Sequence, residues 1–165
     1  MDFEKRLQER RKAFDNEQAE REKQAEAARL KKQDAVASAI SLLKEFALPT
    51  LLSARASLRK NDLDLKIQDD FSEDMPVNAR AIASATCCSF ARKSDGYRME
   101  SRPLVIEVEG EKFKIGFGRE YNRHTIQELI STTDPQNSDE VIKGAILTLT
   151  DEILAKVKDH PIPWN

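Results

Sequence analysis

One apolar stripe constrains what this chain can fold into. Between residues 36 and 58, apolar side chains recur at every third or fourth position. The positions are Val36, Ile40, Leu43, Ala47, Leu51, Ala54 and Leu58, and Ala39, Leu42 and Phe46 widen the stripe. This spacing places them on one broad face of an α-helix. A charged segment precedes the stripe and a segment rich in β-formers follows it, so we expect this helix to seed the core.

Pro49 falls inside the stripe. It lacks a backbone donor, crowds the preceding turn and biases Leu48 away from helical dihedrals. Two alternatives follow: the helix kinks at Pro49, or it ends near Ala47 and a new helix starts with Pro49 in its first turn. The apolar face keeps its phase on both sides, which favours a kink in a core helix over residues 36–60.

Residues 1–34 are a charged arm. They contain ten Lys or Arg and nine Asp or Glu, with no Gly and no Pro. Residues of good helix propensity dominate. Acid–base pairs such as Asp2–Arg6 and Glu17–Arg21 are spaced i,i+4, and each stabilises a helix by about 0.2–0.5 kcal/mol. The arm is therefore predicted to be helical.

Heptad spacing in the arm is incomplete. The residues that could form an apolar contact with another helix are Phe3, Leu7, Phe14 and Ala28. The residue seven positions after Phe14 is Arg21, which interrupts this line of apolar residues. The second line of heptad positions, which starts at Phe3, continues with Arg10, Glu17 and Gln24. A strong coiled coil needs both lines to be apolar. Three alternatives stay open: a solvated single helix, a weak self-associating coil, or an arm that docks on a partner. A nucleic-acid arm is disfavoured because the acids balance the bases.

The length of the helical segment favours a homodimer. An unbroken helix over residues 2–48 would be roughly 70 Å long at about 1.5 Å per residue. That length exceeds what the rest of the chain could cover. We therefore expect that the arm projects or that a second copy covers it.

Alternating apolar and polar residues predict a mostly antiparallel sheet over residues 63–130. The first strand carries Leu63, Leu65 and Ile67 on one face. The clearest hairpin carries Leu104, Ile106 and Val108, a turn at Glu109-Gly110-Glu111, and Phe113, Ile115 and Phe117. In some register Lys112 and Lys114 would lie opposite Glu107 and Glu109. Gly116 and Gly118 indicate a bulge or a close approach, and a short strand is favoured around Leu129.

Two further segments complete the fold prediction. Residues 79–85 suit either a helix or a strand, and a strand from Ile82 is favoured. A closing helix is predicted over residues 138–159. The chain is thus predicted to be an α+β protein with a helical arm at 1–34 and a globular domain at 35–165. In that domain a four- to five-stranded sheet is packed by the core helix and the C-terminal helix.

Composition points to a soluble cytoplasmic protein. The formal net charge is −2, so no overall field favours nucleic acid or an anionic membrane. Cys87 and Cys88 are adjacent, which disfavours a disulfide framework and favours a reducing compartment. The N-terminus has no apolar signal region, and no apolar run approaches the ~20 residues of a membrane span.

No catalytic or metal-binding motif is recognisable. His124 and His160 have no partner at metal-ligand or triad spacing. The acidic residues Asp69, Asp70, Glu73 and Asp74 lack the glycine that a calcium loop requires. We therefore expect no metal, no cofactor and no enzymatic activity, and a site assembled from residues distant in the chain stays open as the alternative.

The densest polar constellation lies in the middle of the chain, where residues 79–124 hold nine Lys or Arg against six Asp or Glu. The candidate partner-binding residues are Arg98, Arg102, Arg119, Tyr121, Arg123 and His124. They could be solvated strand ends, a protein-binding loop, a nucleic-acid surface with Arg92, or a catalytic site at Tyr121 and His124. The favoured function is a non-enzymatic protein–protein interaction module, of adaptor, inhibitor or chaperone type, that self-associates through its arm. The alternative is a nucleic-acid-binding module.

Overall fold

The computed structural model describes residues 2–68, 71, 81–89, 99–120 and 122–159. The chain divides into two compact units, Met1–Ala37 and Ser38–Asn165. The helices are α1 (Phe3–Leu42), α2 (Leu48–Arg59) and α3 (Ser138–Asp159), and the strands are β1 (Leu63–Gln68), β2 (Ile82–Ser89), β3 (Glu100–Glu109), β4 (Lys112–Phe117) and β5 (Glu128–Thr133). The predicted α+β class is confirmed.

The predicted helical arm is confirmed as most of α1. The helix has 40 residues and none of them is buried. Ion pairs on its surface join Arg21 to Glu17 at 2.7 Å and Arg29 to Glu26. These exposed pairs contribute only tenths of a kcal/mol each. The pairing of two copies along the arm stays a prediction.

The helix passes Pro49 by way of a π-helical turn rather than a simple kink at the proline. This turn, Leu43–Ala47, lies directly between α1 and α2, and the Leu48 N–H donates to the Leu43 carbonyl. A proline ring crowds the carbonyl four residues before it, and a wider turn with i→i+5 bonding relieves that crowding. Leu43, Ala47 and Leu51 stay fully buried across this change.

The sheet is a five-stranded antiparallel meander in which the strand order follows the chain, β1-β2-β3-β4-β5. The strand preferred from Ile82 is confirmed, while residues 78–80 lie outside the described part. In the predicted hairpin, Glu107 pairs with Lys114 and Glu109 with Lys112. The turn is closed by Gly110, whose φ of 62° suits glycine.

The core lies between the helices and one face of this sheet. Its fully buried large side chains include Leu43, Leu51, Leu65, Leu104, Ile106, Phe113, Ile115, Ile142, Leu149 and Ile153. They come from the π turn, α2, the strands β1, β3 and β4, and α3. The closing helix was predicted over the same residues that α3 occupies, and its buried apolar residues are Ile142, Ala145, Ile146, Leu149 and Ile153.

A carboxylate joins α2 to β1. Oδ1 of Asp64 accepts hydrogen bonds from Nε of Arg59 at 2.9 Å, Nε of Arg55 at 3.2 Å and the Leu65 N–H at 2.9 Å. Partial burial raises the pKa of Asp64, but the bonds from Arg59, Leu65 and Arg55 outweigh it, so the pKa lies below its usual value.

We expect Asp64→Asn to lower the free energy of unfolding by about 1–2 kcal/mol near neutral pH. The folded-state pKa is depressed, so this stabilisation is present above the unfolded pKa of about 3.9 and is lost as pH falls through the folded pKa. Urea unfolding near pH 7 and near pH 3 tests this. The gap between wild type and variant should shrink at the lower pH, and a constant gap would contradict the assignment. Asp151→Asn, at an exposed position of α3, is the matched control.

One finding differs from the expectation about membranes. The continuous helix Phe3–Arg59 contains an 18-residue window with a mean hydropathy of 1.5, which is apolar enough by length and composition to cross a membrane. A window average tolerates isolated charges, whereas the sequence-based expectation considered only uninterrupted apolar runs. The core helix of a folded domain passes the same test, and this helix supplies Leu43, Ala47 and Leu51 to the core.

Candidate functional site

Arg102 of β3 is clamped by two carboxylates from distant parts of the chain. Its Nη1 lies 2.5 Å from Oε2 of Glu128 on β5, and its Nη2 lies 2.8 Å from Oε1 of Glu152 on α3. The guanidinium also stacks over the ring of Phe117, with Cζ 4.1 Å from the ring centroid. This geometry combines charge-assisted hydrogen bonds with a cation–π contact.

The clamp compensates the charge of Arg102. Partial burial lowers the pKa of Arg102, but the bonds to Glu128 and Glu152 outweigh it and the pKa lies above its usual value. The side chain thereby links β3, β5 and α3. Arg102 was predicted to bind a partner; in the structure its donors are already engaged by these two carboxylates.

The described residues of the segment between β4 and β5, 118–120 and 122–127, lie close to the sheet. Backbone bonds hold them: Gly118 N–H donates to the Pro103 carbonyl, Asn122 N–H to Arg119 and Gln127 N–H to Phe117, each at 2.9 Å. A register shift occurs at Ile115/Gly116. The bulge or close approach predicted from the glycines is thus present.

The glycines are required by this close approach. A Cβ on Gly116 would lie 2.5 Å from the Glu128 carbonyl oxygen, and one on Gly118 would lie 2.5 Å from the Asn122 carbonyl oxygen. Real Cβ atoms do not come this near to backbone oxygen. The absence of a side chain at both positions therefore places the connecting segment, with Arg119, against the sheet.

Two cavities adjoin this segment and share Arg119 and Gln127 in their linings. The first, of about 330 Å³, is also lined by Arg102, Glu120, Glu152 and Lys156. The second, of about 290 Å³, is also lined by Asn122, Thr125 and Ile126. The first cavity is thus rich in charge, and the second contains an apolar side chain. We refer to both together as the β4–β5 groove.

The structure brings together some of the predicted partner-binding residues. Arg102 and Arg119 line the same cavity. Arg123 and His124 lie in the same connecting segment, are half-buried and line neither cavity. Arg98 and Tyr121 lie outside the described residues. The grouping of these residues as one partner-binding site stays a prediction.

Sequence reasoning missed Glu128, Glu152 and Lys156. Glu152 and Lys156 are one turn apart on α3, and an i,i+4 acid–base pair on a helix usually indicates only a solvated surface. Their position beside Arg102 depends on how α3 crosses the sheet. The sequence carries no local signal for it.

The predicted self-association residues are accessible. In α1 the exposed fractions are 74% for Phe3, 56% for Leu7 and 58% for Phe14, and Ala28 is also exposed. Large apolar side chains at this exposure, in a helix that buries none of its residues, are available to another surface.

The two cysteines have no disulfide and are buried. Burial raises the pKa of the Cys87 thiol to about 11, so it stays protonated near neutral pH. Its Sγ lies 4.0 Å from the Thr150 hydroxyl. In the part of the chain that the structure describes, no group of three or more His, Cys, Asp or Glu side chains could hold a metal ion.

A scan against protein-family models and searches of curated proteins and of solved structures find no match to this chain.

Proposed function

We propose that this protein is a non-enzymatic interaction module that pairs with a second copy of itself through α1 and offers the β4–β5 groove to another protein. An adaptor, inhibitor or chaperone would work in this way. The exposed apolar residues of α1 carry the proposal.

Isolated helices depend on packing for most of their stability. None of the residues of α1 is buried, and the ion pairs Arg21–Glu17 and Arg29–Glu26 join residues about one turn apart in the same helix. Leu7 and Phe14 are seven residues apart, which places them on the same side of the helix. A second copy packed along this side would remove both from water, at about 25 cal/mol per Å² of apolar surface.

Charged residues at these two positions should prevent pairing. We expect the full chain to have about twice its monomer mass of 18.8 kDa in light scattering after gel filtration. The double variant Leu7→Glu, Phe14→Glu should have the monomer mass, because a dimer would bury four carboxylates without partners.

A matched control keeps the change in charge and the location in α1. Gln8→Glu with Asn16→Glu adds the same two charges at exposed positions off the Leu7–Phe14 line and should leave the dimer intact. A wild-type chain that is monomeric at its highest soluble concentration would overturn the proposal. Equal dissociation of both double variants would show that charge, not the apolar contact, decides assembly.

A further inference from the structure

We propose that the β4–β5 groove binds an extended acidic segment of a partner protein, with a carboxylate beside Arg119 and Lys156 and a neighbouring apolar side chain beside Ile126. This inference rests on the proposed function and specifies the chemistry of the partner. It concerns a different surface from the one that joins two copies.

The charges that line the first cavity are unequally compensated. Glu152 of this cavity and the adjacent Glu128 are both engaged by Arg102. Arg119 and Lys156 form no side-chain ion pair or hydrogen bond with any other described residue, and both are exposed. The one remaining carboxylate in the lining is Glu120. One arginine against two glutamates leaves the Arg102 clamp net negative. Beside it, Arg119 and Lys156 are the two cations, and Glu120 the one acid, that line the cavity without an ion-pair partner among the described residues.

The second cavity adjoins the first and has a less charged lining. It shares Arg119 and Gln127 with the first cavity and adds Ile126 and Thr125. Gln127 has a side-chain amide that can bond a peptide backbone. An occupant that spans both cavities therefore needs an acidic group and an apolar group on the same face. An extended peptide supplies them at positions i and i+2.

The same charges disfavour a nucleic acid. Binding of a polyanion depends on several phosphates being neutralised by a row of cations. Here Glu120 lines the cavity with Glu152, and Glu128 stands next to them, so most of a phosphate chain would face carboxylates. In this cavity Arg119 and Lys156 are the cations without a carboxylate partner among the described residues. Such a pair suits one carboxylate better than a chain of phosphates.

The test uses a fluorescein-labelled decapeptide of Gly and Ser in which one Asp is followed two residues later by one Leu, so that both lie on the same face of the extended chain. Its counterpart has Asn in place of that Asp. Fluorescence anisotropy at low salt should show saturable binding of the acidic peptide to the full chain. Arg119→Glu with Lys156→Glu should weaken that binding by about tenfold or more. The counterpart peptide should bind at least about tenfold more weakly than the acidic one.

A matched control is Lys112→Glu with Lys158→Glu. It makes the same change in net charge on β4 and α3 at exposed positions that do not line the groove. It should leave the affinity within about twofold. Circular dichroism of both double variants separates lost binding from lost folding, and if the groove variant does not fold, Arg119→Gln with Lys156→Gln replaces it.

Three results would overturn the inference. They are no binding of the acidic peptide, equal binding of its uncharged counterpart, and tighter binding of a single-stranded oligonucleotide that is lost in the groove variant. The arm variant Leu7→Glu, Phe14→Glu should bind the acidic peptide as the wild type does. Failure of self-association and failure of the groove are therefore separate outcomes.

Discussion

Replacing Gly116 with alanine is expected to destabilise the domain by about 2–3 kcal/mol or more. The new Cβ would lie 2.5 Å from the Glu128 carbonyl oxygen and 2.5 Å from Cγ2 of Ile126. The side chain of Ile126 can move, but Glu128 belongs to the backbone ladder of β5, so β4 and β5 must separate there. Thermal and urea unfolding measure the loss.

Gly144 on α3 provides the matched control. A Cβ at Gly144 meets no atom within 4 Å. Alanine has a higher helix propensity than glycine, so Gly144→Ala should stabilise the domain by up to about 1 kcal/mol. Glycine to alanine is thus expected to lower the free energy of unfolding at Gly116 and to raise it at Gly144. A Gly116→Ala variant as stable as the wild type would show that the connecting segment does not lie against the sheet.

Replacing Phe113 with alanine is expected to cost about 3–5 kcal/mol, the usual range for removing a buried aromatic ring. Among the described residues, Phe113 is the largest of the fully buried side chains, and it belongs to the core cluster. Domains of this size have only about 5–15 kcal/mol of stability in total. The variant should therefore unfold at a markedly lower urea concentration.

Phe3→Ala removes the same atoms from an exposed site. Because Phe3 is 74% exposed, this change should leave the unfolding of a monomeric chain within about 0.5 kcal/mol. If α1 has the proposed role, Phe3→Ala should weaken the dimer in the otherwise wild-type chain. In the monomeric Leu7→Glu, Phe14→Glu variant, the same change should leave the urea midpoint of unfolding unchanged. A small loss at Phe113 would contradict the packing described for the core.

The parts of the fold that were predictable are those with a local pattern. Alternation predicts which face of the β3–β4 hairpin is buried, and it placed Lys112 and Lys114 opposite Glu107 and Glu109 with the register left open. The structure supplies that register, with Glu107 opposite Lys114 and Glu109 opposite Lys112. The α3 boundaries follow from polar residues before it and prolines after it. Each of these signals lies within a few residues of the feature it predicts.

The parts that were not predictable depend on distant residues. The clamp joins Arg102 to residues 26 and 50 positions later in the chain. Pro49 indicated a disturbance in the helix, but the sequence did not place it one turn earlier as a π turn. Gly116 and Gly118 indicated a close approach without showing that the neighbouring backbone belongs to residues 122–128.

The order of strands in the meander has a consequence for synthesis of the protein. Each strand pairs with the one made just before it, so hairpins can form while the chain is still being translated. The contact between Thr50 and Asp139 instead spans 89 residues and requires α3. Until α3 leaves the ribosome, the face of the sheet that carries Phe113 lacks Leu149 and Ile153. The nascent chain is therefore most prone to aggregation just before its last helix emerges.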